Sequence, residues 1–401
     1  MQFDVEQFRQ HFPYLQQNQT TSYLDSAATS LKPQALIDAT VAFYQSAGSV
    51  HRSQYDEQQT YLYEQARQRC ADFIGAESPQ AIIWTSGTTQ AINTVAYGLL
   101  PQLQAGDEII ISEADHHANF VTWSAIAKKC GAKLIILSLQ ENWLIDPQQL
   151  KQALTSRTKI VALNYISNVT GTEQPLNQLI PIIRAHSQAF ILVDAAQAIS
   201  HKPINLAELD ADFLAFSAHK LYGPTGLGVL SGKLSSLDVL QPLCYGGKMI
   251  EKVSKQHIGF APLPYKLEAG TPNIAAVIGF NAVLAWLAQF DLHQAEQHSI
   301  ALAQQIKNKL AQYPACRLFN SPQPSTVVCF IFEHIHCADL ATLLAEQKIA
   351  LRSGEHCAQP YLARLGQSAT LRLSLAPYNH QQDIERFFVA LEKSLQLLEE
   401  V

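Results

Sequence analysis

From about residue 60 to residue 232 the chain repeats one pattern, in which short apolar runs end in polar breaks and alternate with helical stretches. The runs are Ala81–Trp84, Glu108–Ile111, Leu134–Leu137, Ile160–Tyr165, Phe190–Val193, Phe213–Phe216 and Leu227–Leu230. They are rich in Ile, Val and Leu and do not alternate strictly, as expected of strands buried on both faces in a parallel sheet covered by helices. Helical periodicity between them covers Thr88–Leu100, Ala118–Cys130, Pro147–Leu154 and Pro175–His186. The pattern predicts an α/β fold. Beyond residue 232 a Gly/Pro-rich stretch, Gly246–Pro272, leads into helical runs at Ile274–Phe290 and Gln294–Tyr313. A strand at Val327–Phe332, a helix at Ala338–Gln347, a strand at Leu371–Ser374 and a terminal helix at Gln381–Leu398 follow. The expected organisation is an N-terminal segment, 1–20, packed on a small domain; a large domain, 21–270; and the small α+β domain, 271–401.

A chain of 401 residues exceeds a single compact core. With 47% apolar and 15% charged residues it is composed to fold rather than to remain disordered. A net charge of −6 without a basic block gives no footprint for nucleic acid or a membrane surface. The N-terminus shows no signal-peptide pattern and no stretch approaches a membrane span, so a cytoplasmic protein is expected. Seven scattered cysteines, without Cys-x-x-Cys, read as reduced thiols. The cluster His334-Ile-His336-Cys337 lacks further ligands close by for zinc and reads better as a helix start or a partner-facing turn, so no metal is expected.

Where the apolar runs end, chemistry-bearing residues collect. Asp212-Phe-Leu-Ala-Phe-Ser217-Ala-His219-Lys220 places a lysine at the mouth of a core strand, ahead of Gly223, Gly226 and Gly228. A desolvated amine there has a lowered pKa and acts as a nucleophile. Phe190-Ile-Leu-Val-Asp194 ends another core strand in a carboxylate. A strand-end Asp followed by a strand-end Lys is what pyridoxal 5′-phosphate requires: the amine forms a Schiff base, and the carboxylate keeps the pyridine nitrogen protonated. Read singly, each is better explained as a surface lysine or a satisfied turn aspartate; together, and with the cysteine loop of the C-terminal region, they point to the cofactor.

Thr85-Ser-Gly-Thr88-Thr89 leads into a helix and suits a phosphate at the helix start, or is simply an N-cap. His116 and His117 follow the second run, placed either to stack on a flat cofactor and shuttle protons or to cap a helix. In the C-terminal region, Leu351-Arg352-Ser-Gly354-Glu-His356-Cys357 is a polar loop whose cysteine lies beside a histidine and near an arginine. Positive neighbours favour the reactive thiolate. The other cysteines read mostly as core filler. Arg372, in an otherwise apolar strand, needs a buried anionic partner: a substrate carboxylate clamped in two-point fashion, or a structural salt bridge.

Together these segments resemble the class V, fold-type I pyridoxal-phosphate enzymes, and among them the group II cysteine desulfurases (SufS- and CsdA-like). The resemblance runs nearly end to end, through Tyr23–Ala28, Val50-His51-Arg52, Gly87–Thr89, His116–Asn119, Ser167–Val169, Val193–Gln197, Ser217–Gly226, Glu268–Asn273 and Arg352–Cys357. It implies that Lys220 holds the cofactor, Asp194 pairs with the ring nitrogen and Gln197 contacts the ring hydroxyl. His116 would stack on the ring and help transfer protons, while Thr88, Thr89, Ser217 and His219 would hold the phosphate. Thr271 would reach the phosphate in a neighbouring subunit, implying a homodimer with composite sites. Arg372 and Asn168 would anchor the substrate carboxylate, with His51 and Arg352 near the substrate and near Cys357, the sulfur-accepting nucleophile. Ser86 and Gln90 depart from the common pattern beside the phosphate loop.

The expected activity is conversion of L-cysteine to L-alanine with a persulfide on Cys357, passed to a SufE- or CsdE-like acceptor for iron–sulfur cluster or other sulfur-compound synthesis. Selenocysteine and cysteine sulfinate are further expected substrates. The alternatives are a class V aminotransferase or another lyase that has no need of Cys357, and a non-catalytic scaffold.

Overall fold

The computed structural model describes residues 3–399. Seven strands form the large sheet: β1 (Ile82–Thr85), β2 (Glu108–Ser112), β3 (Lys133–Leu137), β4 (Thr158–Asn164), β5 (Phe190–Asp194), β6 (Phe213–Ser217) and β7 (Gly228–Gly232), in the order β1-β7-β6-β5-β4-β2-β3. From β6 through β3 the neighbours are parallel. Strand β7 is antiparallel to both β6 and β1, so the sheet is mainly parallel, as expected, with one reversed strand. The reason is the short connection 218–227, which has no room for the crossover helix that a parallel pair demands. The central strands are buried nearly throughout, whereas the edge strand β3 leaves Ile136 exposed.

Helices cover the sheet. Two were not foreseen from sequence: α1 (Gln34–Tyr44) and α2 (Glu57–Ile74). Most of the surface of α2 is polar, but Tyr63, Ala66, Arg67, Cys70, Ala71 and Ile74 form one buried stripe at helical spacing, and Gly75 ends the helix in the left-handed region at φ 60°. Next come α3 (Thr88–Leu99) and α4 (His117–Cys130). Further on, α5 (Ile274–Leu287) is apolar on every side and packs on α1 and α2 within the large core. Expected at the start of the small domain, α5 is enclosed against α1 and α2, the position that suits so apolar a helix.

A second sheet, β8 (Cys316–Leu318), β9 (Val327–Phe332), β10 (Arg352–Gly354) and β11 (Thr370–Ser374), runs antiparallel in the order β8-β9-β11-β10. Its core includes Val328, Phe330, Leu371, Leu373, Phe387 and Leu391. The N-terminal segment bridges the two layers. Phe8 and Phe12 pack on Trp286 and Tyr222, and Ser22–Tyr23 pairs in parallel with Ile349–Ala350. Among the described residues no single helix is long and apolar enough to cross a membrane.

Candidate active site

The C-terminal ends of the parallel strands, where open α/β sheets bind ligands, form the floor of a cavity of about 550 Å³ roofed by the loop after β10. Thr88, Thr89, His116, Asn168, Asp194, Gln197, Ser217, His219, Lys220, Arg352, Cys357 and Arg372 all line it. His51 and Thr271 do not. They line a second cavity with Arg52, Gly247 and Lys248. There His51 pairs with Glu64 at 3.0 Å, and burial lowers its pKa. Within one chain, His51 and Cys357 thus line different cavities.

One end of the first cavity is built for an anion. Helix α3 begins there after Gly87, with no side chain capping it. Thr88 donates its backbone N–H to Ser217 Oγ at 2.8 Å, and the two hydroxyls lie 2.7 Å apart. The approach is close: a Cβ on Gly228 would lie 2.4 Å from the Gly87 Cα. His219 adds a buried Nδ1 that finds no partner in the protein.

At the centre, Lys220 touches the Ala27 carbonyl. Burial and then the Arg372 charge push its amine down to about 7, so it is substantially neutral near neutrality. Asp194 accepts the Ala196 N–H at 3.0 Å. Burial lifts its carboxyl to about 6, and a cationic partner on its other oxygen would hold it ionised. His116 both caps α4, accepting Ala118 N–H at Nδ1 (3.0 Å), and lines the cavity, so the two sequence readings are compatible. Burial pushes it down to about 4, which leaves the ring neutral.

Asp25, for which no role is expected, ties two arginines of the cavity together. It accepts Arg372 Nη2 at 3.0 Å on one oxygen and Arg352 Nη2 at 3.0 Å on the other. Arg372 also donates to the Asn168 carbonyl at 2.8 Å, while its buried Nε has no partner. The salt-bridge reading of Arg372 thus describes what the chain itself satisfies, and the Nε–H is left without a partner in the protein.

Cys357 is exposed, and its loop is tied to the cavity wall from outside. His117 N–H donates to the Cys357 carbonyl at 2.8 Å, and Asn168 Nδ2 donates to the His356 carbonyl at 2.7 Å. His356 turns inward onto Thr370 and is pushed down to about 3 by burial. It is neutral, and so is not the positive neighbour the sequence suggested for Cys357. Among the other cysteines, Cys70, Cys329 and Cys337 are buried and Cys244 is exposed. His336 caps the helix Cys337–Glu346, and among the described residues no group of His, Cys, Asp and Glu is disposed to hold a metal.

The unpartnered donors at His219, Arg372 and Asn164, the anion cradle and the nearly neutral lysine fit a planar cofactor carrying an aldehyde and a phosphate. The sequence model of the aminotransferase class-V family matches residues 22–387. The chain belongs to this family. A protein of Pasteurella multocida named probable cysteine desulfurase is 68% identical over 399 residues, covering 100% of this chain and 95% of the relative. The cysteine desulfurase CsdA of Escherichia coli is 48% identical and covers 99% of each chain. A crystal structure of CsdA from the same bacterium superposes with a TM-score of 0.93 at 47% identity, over 98% of this chain and 99% of the other. This class-V member thus shares fold and length with enzymes named for removing sulfur from cysteine.

Proposed function

We propose that this chain is a pyridoxal-phosphate-dependent cysteine desulfurase, which converts L-cysteine to L-alanine and leaves the sulfur on Cys357 as a persulfide. One observation carries the reading: a single cavity holds both the Lys220–Asp194 pair and an exposed thiol. An aminotransferase needs only the first.

Pyridoxal phosphate, when bound, makes the Cα–H of an attached amino acid acidic by accepting its electron pair into a protonated pyridine. The chain's own residues do the rest. Thr88, Thr89, Ser217 and His219 would hold the phosphate at the start of α3. Asp194 would keep the ring nitrogen protonated, and Gln197 and His116 would help hold the ring. Arg372, through its free Nε, and Asn168 hold the substrate carboxylate, and Arg352 is kept at the entrance by Asp25. Lys220 Nζ takes and returns the proton at Cα. Cys357 Sγ attacks the substrate sulfur: the S–S bond forms, the Cβ–S bond breaks, and Cβ gains a proton to give the alanine methyl. Selenocysteine and cysteine sulfinate present a leaving group at the same carbon and are included as substrates.

The exposed Cys357 is placed to hand its sulfur to an acceptor protein of the SufE or CsdE kind. The working unit is a homodimer in which the cavity holding His51 and Thr271 closes over the partner's first cavity. The exposed stripe Ile37, Val41 and Tyr44 on α1, with Tyr55 and Tyr61 nearby in the chain, supports a covered face there. The helix Ile274–Leu287 packs on α1 and α2, which supports counting it with the large unit. Seven free thiols fit a reducing compartment, the cytoplasm.

The test is incubation with L-cysteine, followed by mass spectrometry of the protein and assay of alanine. One added sulfur atom on Cys357, with alanine released, is expected. Alanine formation without sulfur on Cys357, or no alanine at all, would refute the reading.

A further inference from the structure

Asn164 ends β4 in the centre of the large sheet. It is 3% exposed and lines the first cavity, yet neither its Oδ1 nor its Nδ2 finds a partner in the protein. Buried amides are nearly always paired, so such a group calls for a partner that the chain alone does not supply. Its backbone is firmly held. The Asn164 N–H donates to Asp115 Oδ1 at 2.9 Å, and the other oxygen of Asp115 accepts Ser112 N–H at 2.8 Å. The side chain therefore projects from a fixed point. In the β4–β5 ladder its register partner is Asp194, so the two polar side chains stand side by side on the cavity floor.

The order of strands says which part of the cofactor faces it. The anion cradle of Thr88 and Ser217 lies at the ends of α3 and β6, Asp194 ends β5, and Asn164 ends β4, in that sequence across the sheet. In pyridoxal phosphate the phosphate arm and the ring hydroxyl stand on opposite sides of the axis through the ring nitrogen. With the nitrogen at β5 and the phosphate toward β6, the hydroxyl edge must turn toward β4. Gln197, expected at the same edge, commits one of its two Nε2 hydrogens to the Ala27 carbonyl at 2.9 Å, and the hydroxyl oxygen can accept from a second donor as well.

We propose that Asn164 is a further cofactor-binding residue, whose amide Nδ2–H donates to the hydroxyl oxygen of the pyridine ring beside Asp194. This rests on the assignment of the cavity to pyridoxal phosphate and deepens it. Nothing else about the reaction depends on Asn164, and its role is to fix the ring's tilt on the floor.

The experiment measures binding without turnover. In full-length protein carrying Lys220→Ala, the cofactor is held only by non-covalent contacts, so titration with pyridoxal phosphate gives a dissociation constant directly. Adding Asn164→Leu, which matches the amide in size, should weaken binding about tenfold, equivalent to about 1.4 kcal/mol, and shift the absorbance band of the bound cofactor. The cofactor-free protein should melt no lower than its parent, because an unpartnered buried amide has become an apolar group of similar shape. Asn164→Ala is the second variant, should the leucine prevent folding, and should weaken binding in the same direction. Binding within twofold of the parent with an unshifted band, in whichever variant folds, overturns the proposal. A cofactor-free protein that melts lower while affinity holds also overturns it, since Asn164 would then be structural. Failure of the Lys220→Ala parent to bind pyridoxal phosphate at all would instead overturn the assignment of the cavity.

Discussion

Asp194 and Asn164 end neighbouring central strands at 5% and 3% exposure, with their backbones locked in the parallel ladder. Cys357 shares their cavity but sits on an exposed loop, where His356 and Cys357 both adopt positive φ, 51° and 54°. Such residues cost of order 1–3 kcal/mol each and persist only where the surroundings hold them. Here the holding groups, His117 and Asn168, come from the large unit and grip the loop by its carbonyls. The floor serves chemistry that needs fixed charges out of water. The loop serves a transfer that must end outside the protein. Damage to the floor should therefore abolish every reaction, while damage to the loop should be selective for substrate.

Lys220→Ala should cause the largest loss. The amine is both the attachment point and the base at Cα, and losing the base alone costs ~10²–10⁴-fold. Alanine release from cysteine, selenocysteine and cysteine sulfinate should fall together. Wild-type alanine production from any of the three would show that the reactive amine lies elsewhere. Asp194→Ala follows at ~10²–10³-fold, the scale for removing one preorganised electrostatic partner, again on all three substrates. Thermal stability should change little, because the carboxylate is held off its ordinary pKa by burial rather than by a strong salt bridge.

Cys357→Ala breaks the comparison if it behaves like a floor variant. It should remove activity on cysteine, where a nucleophile must take the sulfur. It should leave selenocysteine and cysteine sulfinate turnover largely intact, since their leaving groups depart with less nucleophilic help. Equal loss on all three substrates would make Cys357 a structural residue or a general acid.

What could be read from sequence divides along the same line. The floor was legible because a buried parallel strand is a continuous apolar run, so the polar residue closing it stands out; Asp194, Ser217 and Lys220 were found that way. Asn164 closes its strand just as plainly, but Tyr165 and Ile166 carry the apolar run past it and mask the break. Asp25 carried no such mark, since it lies outside any long strand and gains its meaning only when β11 and the β10 loop bring Arg372 and Arg352 to it. The neutral state of His356 was hidden for a related reason, because adjacency in sequence says nothing about which way a side chain turns. Helix α2 shows the other limit: its buried stripe is interrupted by so many polar residues that only tertiary packing reveals it.

A pH experiment sharpens the electrostatic side. The Lys220 amine reacts with an aldehyde only when neutral, and its pKa is pushed down to about 7 by burial first and the Arg372 charge second. Cofactor capture by stripped protein should accelerate as pH rises through about 7 and level off above it. In Arg372→Met a cation is removed and Asp25 loses a partner. Both changes favour the protonated amine, so the inflection should move to higher pH. A shift in the opposite direction, or none, would mean that Arg372 does not act on Lys220.

The smallest effect is expected at His117, which tests whether the loop is gripped as tightly as its geometry suggests. Its Nε2 accepts the Gln359 N–H at 3.2 Å, at the start of the short helix Gln359–Arg364 that follows Cys357. Its backbone N–H donates to the Cys357 carbonyl and survives any side-chain change. His117→Ala therefore deletes one hydrogen bond of two, worth ~0.5–1.5 kcal/mol. Hydrogen exchange at residues 357–359 should quicken by a factor of a few to about tenfold, with the strand ends around Asp194 unaffected. His117→Gln, which keeps an acceptor on a side chain of similar reach, should restore most of the protection. Alanine formation should fall only a few-fold, and only on cysteine, because only that substrate waits on Cys357. If exchange at the loop does not change, the backbone contacts alone hold it, and the grip on Cys357 belongs to Asn168.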